Sequence, residues 1–189
     1  MKSKPIRILD ILISLTILLL FFLLLLLISI CIYLFDGRPI LFKQKRIGYH
    51  GKKFEIYKFR TMKNKILKNE NERLTNIGKL IRRLSIDEIP QFINVLKGEM
   101  SIVGPRPLPE MIEKKIDKYL REKRRNILPG ITGMSQINYT GKSRKIEEKV
   151  KLDIVYVENY SLYNYFKILI KTPYIIIVRI IKNKSSIIR

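Results

Sequence analysis

The chain has 189 residues, room for one globular domain and a modest appendage, which argues against a multidomain protein. Its 38 Lys and Arg against 16 Asp and Glu give a formal charge of +22, so the surface must repel itself or meet something anionic, for which nucleic acid, anionic lipid and phosphorylated substrates all qualify. One cysteine, Cys31, inside an apolar run and one histidine, His50, exclude a disulfide scaffold, a Cys/His zinc site and the hydrolase triads built on His.

Mean hydropathy is zero only because two unlike parts average out. Residues 11–35 carry no charge, and at 1.5 Å per residue they reach roughly 37 Å as a helix, enough to span a bilayer with tilt. Lys2, Lys4 and Arg7 precede this run and would suit a signal peptide, but the apolar stretch is too long, Asp10 interrupts and no small-x-small cleavage site follows. Arg38, Lys43, Lys45 and Arg46 follow the run, so both ends carry cytoplasmic-type charge. A helix that enters and returns to one face would satisfy both ends, yet the run has neither Pro nor Gly to bend it.

Gly37 and Pro39 end that helix, and residues 40–44 and 54–59 predict a short hairpin around Gly48-Tyr-His-Gly51. Between Arg38 and Arg73 there are twelve Lys or Arg against Glu55, Glu70 and Glu72, a positive field that anionic headgroups would neutralise. Residues 63–73 read as loop or frayed helix, and residues 77–84 as a helix with Arg82 and Arg83 near its end. Ser85-Ile-Asp-Glu88 matches a capping box, which predicts a helix over residues 87–96 with Pro90 in its first turn and Gly98 at its end. Asp87 and Glu88 are then explained as dipole-stabilising acids as readily as by chemistry.

In Gly104-Pro-Arg-Pro107 two prolines stiffen the backbone around Arg106, which suits bidentate phosphate capture; a solvated loop arginine is the competing reading. Residues 112–125 predict a charged helix, Leu128-Pro-Gly-Ile-Thr-Gly133 a turn-rich loop, and residues 160–181 an apolar, aromatic helix that lies at a membrane interface or packs in the core. No helix-turn-helix, zinc-finger or RNA-binding signature supports a nucleic-acid partner.

Gln44-Lys-Arg-Ile-Gly48, Phe54-Glu-Ile-Tyr-Lys-Phe-Arg-Thr-Met62, Arg82-Arg-Leu-Ser-Ile-Asp-Glu-Ile-Pro-Gln91, Asn94-Val-Leu-Lys-Gly98, Met100-Ser-Ile-Val-Gly-Pro-Arg-Pro107 and Pro129-Gly-Ile-Thr-Gly133 occur in that order. So ordered, they resemble the small bacterial sugar transferases, the monotopic polyprenyl-phosphate phosphoglycosyl transferases. The resemblance implies an α+β protein: a membrane-inserted, re-entrant helix over residues 1–36, then a small, mainly helical cytoplasmic catalytic domain over residues 37–189 with a β-hairpin and interfacial amphipathic helices. It implies transfer of a sugar 1-phosphate from a UDP-sugar to undecaprenyl phosphate at the bacterial inner membrane, with UMP leaving and Mg²⁺ required. By the same resemblance Asp87 is the nucleophile and a metal ligand, Glu88 its partner, and Arg106 a phosphate-binding residue. Lys58 and Arg82 are expected to join Arg106 on substrate phosphate and Arg38 to face lipid headgroups. Two departures stand out: Phe22-Leu23 where the family usually has Ser-Pro, and Leu128 and residues 138–142 where it usually has Arg and an Asn-Gly-Arg sequence. The rival reading is a non-catalytic, basic lipid-binding protein of the membrane surface.

Overall fold

The apolar run does not form one rod. In the computed structural model, which describes residues 3–63, 73–138 and 145–185, it is split into α1 (Lys4–Leu20) and α2 (Phe22–Asp36). The pair is bent by 61°, and the two helices together, but no single described helix, are long and apolar enough to cross a membrane. Thr16 and Ser29 hydroxyls bond back to the Leu12 and Leu25 carbonyls, but the break falls between them at Phe21. Packing accounts for the bend better. The start of α1 buries Ile6 in one hydrophobic cluster, whereas α2 buries Ile28 and Ile32 in another with Phe59 and Ile81. Two docking surfaces at different angles bend a helix that has no proline to bend it.

Polar ties fasten both ends of the pair to the same domain. Asp10 is 1 % exposed, and its Oδ1 accepts from the Ile102 N–H at 2.9 Å and the Tyr165 hydroxyl at 2.8 Å. Arg7 donates to the Val95 and Leu96 carbonyls. At the far end, buried Arg60 donates to the carbonyls of Asp36, Gly37 and Arg38, the acceptors a helix C-terminus leaves unpaired.

The expected hairpin is present as β1 (Leu41–Ile47) and β2 (Lys53–Phe59), antiparallel, with Leu41 opposite Phe59 and Ile47 opposite Lys53. It is followed by α3 (Asn76–Arg83), capped by Thr75 through the Gly78 N–H, and α4 (Gln91–Leu96). Next come β3 (Ser101–Val103), α5 (Glu110–Glu113), α6 (Lys118–Arg124), β4 (Gly130–Thr132), α7 (Met134–Ile137), α8 (Ile146–Glu158) and α9 (Leu162–Ser185). The α+β class is thus as expected, with three local corrections. Residues 112–125 are two short helices, because Asp117 starts a new one by accepting from the Leu120 N–H. The Pro-Gly-Ile-Thr-Gly segment is not merely a loop but supplies β4, parallel to β3. The third concerns residues 85–90 and is taken up with the site. The 63–73 reading and the 138–142 departure fall almost wholly outside the described residues.

The C-terminal helix packs one face into the core, as the second of its expected readings has it, and leaves the other face exposed. Tyr165 and Ile168 are buried in the main cluster with Val95, Met100, Val103 and Tyr156, while Tyr163, Ile170, Tyr174 and Ile177 face outward. Leu19, Leu20, Phe22, Leu23, Leu26, Leu27 and Leu34 are exposed likewise on α1 and α2, a large exposed apolar surface.

β3 and β4 lie unusually close. A Cβ on Gly130 would sit 2.0 Å from the Gly104 nitrogen, and one on Gly133 2.2 Å from the Gly104 oxygen. The glycines are there so that two backbones can touch, with the Gly104 N–H donating to the Thr132 carbonyl and the Gly130 N–H to that of Pro105. Gly130→Ala is therefore expected to cost about 2–3 kcal/mol, as overpacking does, and to lower the melting temperature in detergent by roughly 5–10 °C. An unchanged melting temperature would mean the strands can separate at no cost.

Candidate active site

The chain between α3 and α4 makes two abrupt changes of direction. Ser85 adopts a left-handed conformation, φ 58°, and Ile86–Glu88 form a single 3₁₀ turn before Pro90 opens α4. The capping box is therefore not formed: the Ser85 side chain makes no cap bond, and Glu88 points instead at two cations. Asp87 likewise precedes the helix and owes its state to burial, not to the dipole that the sequence pattern suggested.

Glu88 is the hub. Its Oε1 accepts from Lys58 Nζ of β2 at 2.5 Å and from Arg106 Nη2 at 3.0 Å, so three segments distant in sequence meet on one oxygen. Burial opposes its charge, but Arg106 and Lys58 outweigh that and hold the carboxyl down at about 2. Asp87, 7 % exposed, goes the other way. Burial first and the Glu88 charge second raise it to about 6, against smaller opposing pulls from Lys58 and Arg82. Two adjacent carboxyls are thus driven apart: one is a permanent anion and the other a desolvated group that ionises close to neutrality. Such splitting is what environments arrange when two acids have different tasks.

Of the residues singled out in the sequence, Lys58, Asp87, Glu88 and Arg106 come together, and Arg82 reaches Asp87 through its charge. Arg38 is not part of the cluster. Its guanidinium lies 5.6 Å from the Tyr33 ring centroid at the end of α2, an exposed position consistent with a headgroup contact.

Arg46, which the sequence reading placed only in the basic field, lies beside Arg106; burial and the Arg106 charge lower its guanidinium to about 10, with Glu88 opposing, so it stays charged at neutral pH. It donates to the Pro107 carbonyl at 3.2 Å and to Gln44 Oε1 at 2.5 Å. The signal for it was present in the Gln44-Lys-Arg spacing, since alternation along β1 puts residues 44 and 46 on one face. Lys58, Arg82, Arg46 and Arg106 against Asp87 and Glu88 leave a surplus of positive charge, which suits a diphosphate.

No three His, Cys, Asp or Glu side chains converge on a metal-sized space among the described residues. With the Glu88 oxygen held by two cations, the donor set fits a Mg²⁺ that arrives with phosphate ligands and keeps its waters, held by one protein carboxylate, and not a preformed protein cage.

The bacterial sugar transferase model matches residues 1–179. Among curated relatives, the uncharacterized sugar transferase EpsL of Bacillus subtilis (strain 168) is 49 % identical over 144 residues, 72 % of this chain and 69 % of its own length. The UDP-glucose:undecaprenyl-phosphate glucose-1-phosphate transferase of Escherichia coli (strain K12) is 38 % identical over 182 residues, 87 % of this chain and 38 % of its own. An undecaprenyl-phosphate galactose phosphotransferase of Salmonella typhimurium is 35 % identical over 206 residues, 92 % of this chain and 40 % of its own. The chain thus spans less than half the length of the latter two.

A carboxyl whose folded value lies above its unfolded value of 3.8 favours folding while protonated and loses that contribution as pH rises through about 6. Asp87→Asn removes the penalty, so the variant should be more stable than the natural chain above pH 6 by on the order of 2–3 kcal/mol. The two should converge below about pH 4. Melting curves in detergent at pH 4 and pH 8 check this, and equal curves at pH 8 would mean that Asp87 is well solvated.

Proposed function

The chain belongs to the bacterial sugar transferase family, and from that premise we propose that it moves a sugar 1-phosphate from a UDP-sugar to undecaprenyl phosphate. The observation that carries the reading is the divergent carboxylate pair, with Asp87 buried and raised while Glu88 is bridged by Lys58 and Arg106. A lipid-binding surface needs no buried carboxyl beside four cations, because burying one costs stability that headgroup binding would not return.

In the proposed course, the UDP-sugar diphosphate binds against Arg106, Lys58 and Arg46. Ionised Asp87, poorly solvated and so a better nucleophile, forms a bond from a carboxylate oxygen to the phosphorus that carries the sugar. The bond from that phosphorus to the bridging oxygen breaks and UMP leaves with the electron pair. An oxygen of undecaprenyl phosphate then attacks the same phosphorus and displaces Asp87, giving a lipid diphosphosugar. Glu88 stays anionic throughout and keeps Lys58 and Arg106 aligned. A bound Mg²⁺, held by Asp87, would neutralise charge on the diphosphate oxygens.

The lipid acceptor gives the apolar surface its purpose. We place the protein at the bacterial inner membrane with the α1 and α2 pair entering and leaving on the cytoplasmic face. The ties of Arg7 and Asp10 at one end and Arg60 at the other hold both ends to one domain, and the bend at Phe21 lets the chain return.

The direct test incubates the protein with undecaprenyl phosphate, Mg²⁺ and UDP-glucose, UDP-galactose or UDP-N-acetylgalactosamine, and follows the lipid diphosphosugar by mass spectrometry. One sugar should give product and UMP, and Asp87→Asn should lose at least about 10³-fold in rate, as removal of a nucleophile does. Near-normal turnover by the folded Asn variant would sink the covalent course. For topology, Ser3→Cys with Cys31 replaced should resist a membrane-impermeant thiol reagent in intact spheroplasts and react after lysis. Labelling before lysis would instead establish a single span.

A further inference from the structure

The two prolines around Arg106 stiffen the loop but also strip it of N–H donors, so its backbone has little to bond with from its own side. Its carbonyls are held from outside instead. That of Pro105 accepts from the Gly130 N–H at 2.9 Å and that of Leu108 from the Ile47 N–H at 3.2 Å. The Arg106 carbonyl accepts from Arg124 Nη2 at 2.8 Å and the Pro107 carbonyl from Arg46 Nη1 at 3.2 Å. Four successive carbonyls are thus gripped by three different segments, β1, α6 and β4, two of the four bonds coming from arginine side chains.

Arg124 stands apart within this set. It is 5 % exposed and donates Nε and Nη2 to Oδ2 of Asp153, itself 2 % exposed, at 3.2 and 2.9 Å. An ion pair this deep is weak as a stabilising device, because the desolvation cost offsets the attraction and apolar side chains of similar size often serve stability as well. What apolar side chains cannot do is reach across from α6 and hold a carbonyl.

We propose that Arg124, anchored on α8 by Asp153, is a positioning residue that fixes Arg106 for the diphosphate of the substrate. This rests on the proposed function only in taking Arg106 as a diphosphate ligand. Arg124 touches no substrate; it orders the backbone from which the Arg106 side chain, 44 % exposed, projects toward Glu88. Adjacent on the same two helices, Lys123 pairs with Glu158 at the surface and offers a control that docks α6 on α8 without touching the loop.

The experiment measures binding of UDP with Mg²⁺ to the full chain in lipid nanodiscs by calorimetry, beside the melting temperature. Arg124→Met combined with Asp153→Leu should fold with a melting temperature near that of the natural chain yet bind UDP about tenfold more weakly. Arg106→Ala should weaken binding similarly, and the triple variant no further, because Arg124 acts only through Arg106. Glu158→Gln should bind as the natural chain does. If the Met and Leu pair fails to fold, Arg124→Lys carries the same comparison with the charge kept. Natural affinity in a folded Arg124 variant overturns the proposal, as does a loss that persists undiminished without Arg106 or an equal loss in Glu158→Gln. Failure of the natural chain to bind UDP, or an Arg106→Ala variant that binds normally, overturns the premise about Arg106 and the proposal with it.

Discussion

One buried carboxylate governs how the apolar helices meet the rest of the molecule. Asp10 lies on α1, two turns from its start, with no room to be solvated and two bonds to elements 92 and 155 positions away. A charge or strong dipole is costly wherever water is excluded unless it is bonded, so the face of α1 that carries Ile6 and Asp10 is packed into the protein interior. The same carboxylate joins α1 to β3, whose far end leads into the arginine loop, and to α9, whose outer face is apolar. Thr132 of β4 meets Thr172 of α9 at 2.8 Å and adds a second link between that helix and the paired strands. The bent helix pair, the C-terminal helix and the paired strands are therefore tied to one another.

Upon that assembly the site divides its charges. Asp87 and Glu88 are neighbours of the same chemistry with opposite tendencies, and the difference comes from the backbone turn that aims one at Lys58 and Arg106 and tucks the other away. The short strands, the three packed glycines and the buried Arg124 and Asp153 pair bring the loop up to that turn. Little of this is a pocket in the ordinary sense. The cleft at Arg106 is small and lined in part by Pro105, Pro107, Arg124, Arg125 and Pro129.

Local pattern was enough for much of the molecule. The uncharged run, the hairpin with its alternating faces, the helix expected over residues 77–84 and found over 76–83, and the ordered motifs around Asp87 and Arg106 are all properties of neighbouring residues, and the family follows from them. What local pattern could not decide are the features that depend on partners far along the chain. The bend at Phe21 arises from two separate hydrophobic clusters, so no residue near it announces it. Asp10 reads in sequence as a mere interruption, and in space it is an anchor, because only the fold supplies Ile102 and Tyr165. The capping-box pattern at Ser85 was misleading for the same reason: Lys58 and Arg106, 30 and 18 residues away, compete for Glu88 more strongly than a local backbone N–H does. The sequence thus determined the family, the candidate residues Asp87, Glu88, Lys58 and Arg106, and the apolar run beside them. Only the tertiary structure decided their charge states and the rigidity of the arginine loop, since both are set by burial and by donors that chain neighbours cannot provide.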